Sequence, residues 1–276
     1  MTPDAWRLAG TFVELRGHRM FYRRAGNGPA LLLVHGYPTS SWDWDPIWKE
    51  LTARYDVIAM DMLGFGESAK PRGHRYSLFE QTDLQLALLG HLGVEDFHVL
   101  AHDYGVTVGQ ELLARGAKVE SIAFLNGGLF PETHRARPIQ RLLASPIGGL
   151  IARFSNEKTF AKTFGKIFAK PPSAEEVHAF YTLAAKNDGM RALAGLIRYM
   201  SERRENRDRW VNALLAATLP LIVINGSLDP VSGEHMVKRL LELRPQTNVV
   251  RLPDVGHYPQ VEAPEDVLRA YLVFRA

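Results

Sequence analysis

The 276-residue chain contains no cysteine, which excludes disulfides, thiolate metal sites and a sulfur nucleophile. Long apolar runs are also missing. The longest stretch, near Leu214 to Ile224, is interrupted by Pro220, so no membrane-spanning segment is expected. Charge of one sign is scarce, with 33 basic residues against 30 acidic ones and a formal charge of +3. Arg198, Arg203, Arg204, Arg207 and Arg209 concentrate positive charge, but Glu202, Glu205 and Asp208 dilute it and no aromatic interleaving accompanies it. That pattern reads as a solvated, salt-bridged helix face rather than a nucleic-acid surface. The glycines of Asp61 to Ser68 lack the third glycine of a dinucleotide loop, and no Gly-Lys-Ser/Thr follows, so nucleotide binding is not expected. The opening MTPDAWRLAG lacks the basic start and apolar core of a signal peptide, which gives a cytoplasmic expectation.

Short runs rich in β-branched residues are present at Ala30 to Val34, Asp56 to Met60, Phe97 to Ala101, Val119 to Leu125, Pro220 to Ile224 and Asn248 to Leu252. Runs of this length read as strands buried on both faces, as in a parallel sheet. Helix-length segments separate several of them, at Leu78 to His91 and Val106 to Arg115, and Pro264 to Phe274 follows the last. The alternation predicts an α/β fold, a mostly parallel sheet with helices on both faces. Ahead of it, Thr11 to Leu15 and Arg19 to Arg24 flank Arg16-Gly17-His18 and predict an antiparallel edge hairpin. Between about residues 131 and 210 the strands stop and helix signals take over. Ser173 with Glu176 forms a capping-box pattern that opens a helix toward Lys186. Asn187-Asp188-Gly189 marks a break before a second helix through Tyr199. The expected organisation is a core of residues 1–130 and 211–276 with an all-helical insertion, 131–210, capping the strand ends.

Chemistry is concentrated where strands end. Ala101-His102-Asp103-Tyr104-Gly105 is a small-x-nucleophile-x-Gly pattern running from strand to helix, with the two small residues permitting a tight turn that lifts Asp103 above the sheet. Asp229 follows the next-to-last strand and His257 the last, in the order nucleophile, acid, histidine. Each has an ordinary alternative. Aspartate caps helices, Asp229-Pro230 suits a turn, and a lone loop histidine is usually solvated. Their joint placement at three strand ends favours a triad. The backbone amides of Tyr37, in His35-Gly36-Tyr37-Pro38, and of Tyr104 are placed to form an oxyanion hole. His35 reads as a brace, and His35, Pro38, Trp42 and His102 are expected around the substrate.

A carboxylate with an ordinary pKa near 3.9 is ionised at neutral pH and needs no base to attack. His257 is then free to activate water against an ester formed on Asp103. Substrates that fit are sp3 carbons bearing a strained or halide leaving group. An epoxide oxygen needs a proton, most naturally from a phenol, and Tyr199 and Tyr181 are the phenols the insertion offers.

HGYPTSSWDW from His35, GFGES from Gly64, HDYG from His102, NGGLFPETHR from Asn126, NDG from Asn187 and HYPQ from His257 resemble the epoxide hydrolase and haloalkane dehalogenase branch of the α/β-hydrolase superfamily. Within it, the chain resembles the mesoderm-specific transcript family, animal relatives of epoxide hydrolases. The resemblance implies an α/β-hydrolase fold and an epoxide hydrolase acting on an apolar epoxide and water, without cofactor or metal. It implies no nucleic-acid or membrane partner, and a monomer or homodimer. Tyr199 matches the second cap tyrosine of epoxide hydrolases; the other has no clear counterpart, and Tyr181 is its loose substitute. Dehalogenases usually place asparagine where Tyr37 stands and tryptophan where Tyr104 stands, so both halide donors are missing. Fluoroacetate dehalogenases are a poorer match, because Tyr104-Gly105-Val106 replaces the arginines after their nucleophile.

Overall fold

Alternation within the strands decides which side of the sheet each residue covers. The computed structural model describes residues 1–276 and places Leu31 and Leu33 in the hydrophobic core on one face, with Leu32 and Val34 in the core on the other. Both faces therefore need helices, and both have them. An eight-stranded sheet runs in the order β1-β2-β4-β3-β5-β6-β7-β8. Its strands are β1 (Thr11–Leu15), β2 (His18–Ala25), β3 (Ala30–Val34), β4 (Asp56–Met60), β5 (Phe97–Ala101), β6 (Val119–Phe124), β7 (Leu221–Gly226) and β8 (Asn248–Leu252). β1 and β2 form the expected antiparallel hairpin, β2 also pairs antiparallel with β4, and the remaining pairs are parallel.

Helices α1 (Pro3–Leu8), α2 (Asp45–Thr52), α3 (Leu78–His91) and α4 (Tyr104–Ala114) precede β6. Between β6 and β7 lie α5 (Pro138–Leu143), α6 (Gly148–Phe154), α7 (Glu157–Phe164), α8 (Ala174–Ala185), α9 (Gly189–Leu196), α10 (Tyr199–Glu205) and α11 (Arg207–Ala216), with no strand among them. α12 (Glu234–Leu243), α13 (Pro259–Glu262) and α14 (Pro264–Arg275) complete the chain. The Ser173 and Glu176 capping box opens α8 as expected. The helix expected to run through Tyr199 is instead two, because the chain breaks at Ile197 and Arg198 between α9 and α10.

α1 was not anticipated. Its Trp6 is buried edge-on against Trp48 of α2, with ring centroids 4.9 Å apart. The arginine cluster also differs from the expectation of a wholly solvated face. Arg207 and Arg209 do reach carboxylates, Glu132 at 2.6 Å and Glu111 at 2.7 Å. Arg203, however, is only 4% exposed. Its guanidinium lies where a side chain on Gly128 would be, since a Cβ there would come within 1.9 Å of Nη2.

β3 is the first parallel strand, and the chain next adds β4 on one side and β5 on the other. Strand order thus reverses at β3, and a crevice opens beyond the carboxyl ends of β3 and β5.

Candidate active site

Asp103 is held in that crevice by a strained turn. Its φ of 47° and ψ of −108° lie outside the regions favoured by L-residues. A conformation of this kind costs about 1–3 kcal/mol and persists only where neighbours enforce it. They do so here. The Asp103 N–H donates to Asn126 O at 2.8 Å, and the Gly105 N–H donates to His35 O at 3.1 Å. A Cβ at position 105 would lie 2.4 Å from Val34 O, so only glycine lets the new helix approach β3 this closely.

The carboxylate faces two partners. Oδ1 accepts the Tyr37 N–H at 2.8 Å, and Oδ2 lies 3.2 Å from His257 Nε2. The Tyr104 amide is the first of α4 and has no acceptor within its own helix. His257 Nδ1 meets Asp229 Oδ2 at 2.8 Å. That aspartate is fixed in turn, because Oδ2 also accepts from Asn126 Nδ2 at 2.9 Å and Ser232 Oγ at 2.7 Å, while Oδ1 accepts the Val231 N–H at 2.7 Å. The structure therefore brings Asp103, His257 and Asp229 into one hydrogen-bonded line at the ends of β5, β8 and β7.

Electrostatics follow from burial and pairing. Burial alone would raise the Asp103 pKa, but the hydrogen bond and charge of His257 overcome it and hold the carboxyl below its ordinary range. Asp229 is likewise opposed by burial and brought down to about 2 by His257 and its hydrogen-bond donors. Burial would lower His257; flanked by Asp229 and Asp103, it is raised to about 10. The resting line is two carboxylates around an imidazolium.

The loop carrying His257 is braced by the insertion. The His257 N–H donates to Ile167 O at 2.9 Å, and Glu262 accepts the N–H groups of Ala169, Gly256 and Tyr258 at 2.8 to 3.0 Å. Above the line lies a cavity of about 100 Å³, lined on the core side by Tyr37, Pro38, Asp103, Val231 and His257. Its other walls come from the insertion, among them Ile139, Gln140, Leu143, Phe160, Phe164 and Leu193.

The remaining expected residues distribute unevenly. His35 is fully buried, accepting the Met62 N–H at Nε2 (3.0 Å) and facing Gly36 O with Nδ1 (2.8 Å), and burial first lowers it to about 4; it braces the turn and does not reach the cavity. His102 is also buried and points Nε2 at His257 O, 2.8 Å away, so it too supports the histidine loop from below. Pro38 lines the cavity, whereas Trp42 does not: its ring packs on Phe180 and its Nε1 donates to Met1 O at 3.0 Å. Tyr199 is buried behind the wall, its ring 5.9 Å from Tyr37 and 5.2 Å from Tyr104. Its hydroxyl accepts from Gln140 Nε2 at 3.2 Å and its own proton is unclaimed. Tyr181 does not reach this place. It stands half-buried against Phe160, outside the cavity lining, because Phe160 itself occupies the wall between them.

Several members were not named from the sequence. Asn126 sits at the end of β6, and the same strand-end reasoning that found Asp103 would have found it. Gln140, Ser232 and Glu262 carry no such signal. His134 and Arg203 lie beside Tyr199, His134 with its ring 6.3 Å away and Arg203 with its guanidinium carbon 5.9 Å from the ring centre. Arg203 Nη2 and His134 Nε2 are buried without a hydrogen-bond partner. One group of donor atoms could hold a metal, those of His18, His74 and Glu80 within 4.8 Å of one another, and none of the three lines the cavity.

Residues 31–270 match the family described as Alpha/beta hydrolase family. The chain is 38% identical to the mesoderm-specific transcript homolog protein of Homo sapiens over 290 residues, covering 98% of this chain and 87% of that one. It is 41% identical over 276 residues to the hydrolase LipZ of Mycobacterium tuberculosis, covering 97% and 96%. A more distant relative is the bifunctional epoxide hydrolase 2 of Sus scrofa, 26% identical over 96% of this chain and 55% of that one. Among solved structures, an alpha/beta hydrolase fold protein from Burkholderia ambifaria superposes with a TM-score of 0.83 at 24% identity, over 95% of this chain and 97% of that one. The haloalkane dehalogenase DbeA of Bradyrhizobium elkani gives 0.82 at 24% over 96% of each chain, and the epoxide hydrolase CorEH gives 0.79 at 21% over 96% and 97%.

Proposed function

Since the chain belongs to the α/β hydrolase family, we propose that it is an epoxide hydrolase, opening an apolar epoxide to a diol through an ester on Asp103. The observation that carries this reading is a carboxylate at the strained strand-to-helix turn, with one oxygen on the Tyr37 amide and the other facing an imidazole. In the proposed first step Oδ2 attacks an epoxide carbon, the carbon–oxygen bond breaks, and the alkoxide takes the Tyr199 proton, which requires the phenol to turn from Gln140, itself a lining residue, into the cavity. The charge of Asp103 disappears into the ester, so one of the two groups holding a proton on His257 is lost. The ring gives up that proton, which passes through solvent to restore the Tyr199 hydroxyl, and becomes a base. Water then attacks the ester carbonyl, its proton passes to His257, and the amides of Tyr37 and Tyr104 stabilise the oxyanion. Collapse breaks the ester carbon–oxygen bond, the departing diol oxygen takes the proton of the new carboxyl hydroxyl, and Asp103 is left ionised with a solvent oxygen in its carboxylate.

Residues 131–210 act in this reading as the cap that closes a largely apolar cavity over the reacting atoms. Halide release by the same ester is the second outcome to be assayed; at Tyr37 and Tyr104 phenols stand where N–H donors would serve a halide. The test pairs a panel of aryl and alkyl epoxides with bromoalkanes and p-nitrophenyl esters, using wild type and His257→Gln. Diol from wild type, and an adduct on the Asp103 peptide of His257→Gln by mass spectrometry, are expected. Bromide without diol, or turnover by wild type with no adduct in the variant, would refute the proposal.

A further inference from the structure

Exposed apolar side chains are concentrated in one place. Of the eight large hydrophobic residues exposed in the chain, four fall on α5, α6 and the turn between them: Leu142 (43%), Ile147 (57%), Leu150 (58%) and Phe154 (73%). Leu150 and Phe154, four residues apart, share one face of α6, and Ile147 caps its start three residues before Leu150. The opposite face is buried: Ala152 is 1% exposed and lines the cavity, with Leu143 of α5 beside it. One surface of this helix pair thus walls the cavity while the other presents hydrocarbon to solvent.

The charge around that hydrocarbon has one sign. Arg135, Arg137, Arg141 and Arg153 lie in the segment, and from Thr133 to Asn156 there is no aspartate or glutamate. Arg137 turns to the cavity; Arg135, Arg141 and Arg153 are exposed and take no part in an ion pair of the fold, unlike the arginines of α11, which meet Glu132 and Glu111. An apolar face rimmed by unneutralised guanidinium groups is complementary to a surface that is apolar beneath and anionic on top. A second copy of this chain fits poorly, because a two-fold contact would press the same arginines against one another. We infer that the α5–α6 face docks on anionic phospholipid membranes, with Ile147, Leu150 and Phe154 entering the acyl boundary and Arg141 and Arg153 meeting lipid phosphates. No helix is long and apolar enough to cross a membrane, so this docking is peripheral. It sets the cavity wall against the phase in which apolar molecules accumulate, whatever reaction Asp103 performs.

The test is co-sedimentation of the full chain with phosphatidylcholine vesicles, with and without phosphatidylglycerol, at low and high salt. Wild type is expected to bind the anionic vesicles, and screening by salt should weaken that binding. Leu150→Asp combined with Phe154→Asp should cut partitioning about tenfold or more, since it places charge at the apolar boundary. Arg141→Gln with Arg153→Gln should leave the weak binding to neutral vesicles and remove most of the salt dependence. All four positions are outside the cavity lining, so circular dichroism melts should match wild type; if the aspartate variant melts early, the arginine variant decides. Wild type that fails to bind anionic vesicles at low salt overturns the inference. So does vesicle binding that survives either pair of substitutions unchanged, or light scattering that shows this face pairing two copies with no vesicle bound.

Discussion

Replacing Asp103 by asparagine puts a neutral group of the same shape where the proposed ester would form, and so isolates how that carboxylate controls His257. The imidazole stands at about 10 against an ordinary 6.5, although its burial works in the opposite direction. The two carboxylates, at 2.8 Å and 3.2 Å, must therefore supply more than the whole rise between them. Asp229 contributes the larger share, but because the joint effect exceeds the net rise by what burial takes away, Asp103 accounts for roughly half of that net rise. Asp103→Asn should accordingly bring His257 to about 8 or lower, a change of about 2 kcal/mol or more in the cost of removing its proton. The assay is an NMR titration of the ring nitrogens, with the His257 signals identified by their loss in His257→Gln. An imidazole that still titrated near 10 in Asp103→Asn would mean that Asp229 alone holds the proton. The account of how ester formation releases the base would then fail. Breakdown of the ester needs neutral His257, so its rate should rise with pH up to the lowered pKa and level off above it.

Strand positions were legible because a buried parallel strand has no solvent face, leaving an uninterrupted apolar run whose ends are visible. Ala30 to Val34 and Phe97 to Ala101 match their strands to the residue, whereas Asn248 to Leu252, also matched, is a partly exposed edge strand. The triad was legible for a related reason: a sheet gathers its strand ends, so residues distant in sequence such as Asp103 and His257 become neighbours once strand order is known. Tertiary phase was not legible. Whether Tyr199 or Tyr181 approaches Asp103 depends on how α8, α9 and α10 are rotated, and the break at Ile197 that sets α10 apart is preceded only by Gly195, which lies inside α9 and does not mark its end. The burial of Arg203 was hidden for a different reason. A run of arginines and glutamates reads as a solvated face, and the space that admits this one guanidinium is made by the missing side chain of Gly128 on another element.

Two further outcomes follow from buried charge. Asp229 titrates at about 2 in the folded chain against 3.8 ordinarily, so its stabilisation is complete above the unfolded value and is lost as pH falls through 4 toward 2. That contribution is about 2 kcal/mol. Urea denaturation of wild type and Asp229→Asn should show their difference shrinking by this amount between pH 5 and pH 2, and a constant difference would refute it. The other outcome concerns Arg203, whose cation is buried without a carboxylate partner and lies 5.9 Å from the ring centre of Tyr199. A buried charge without a counter-ion is costly, and the negative charge that would balance it is the one arising on the Tyr199 oxygen as it gives up its proton. With the 5.9 Å between the guanidinium carbon and the ring centre setting the scale, and an effective dielectric constant near 20, the attraction is about 3 kcal/mol. Arg203→Met should therefore slow adduct formation on Asp103 in the His257→Gln background by about tenfold to a hundredfold, leaving ester hydrolysis in otherwise wild-type enzyme unchanged. In a Tyr199→Phe background the same substitution should have little further effect, because the oxygen it serves is gone. Equal slowing of both steps, or full additivity with Tyr199→Phe, would make Arg203 a packing residue with no part in ring opening.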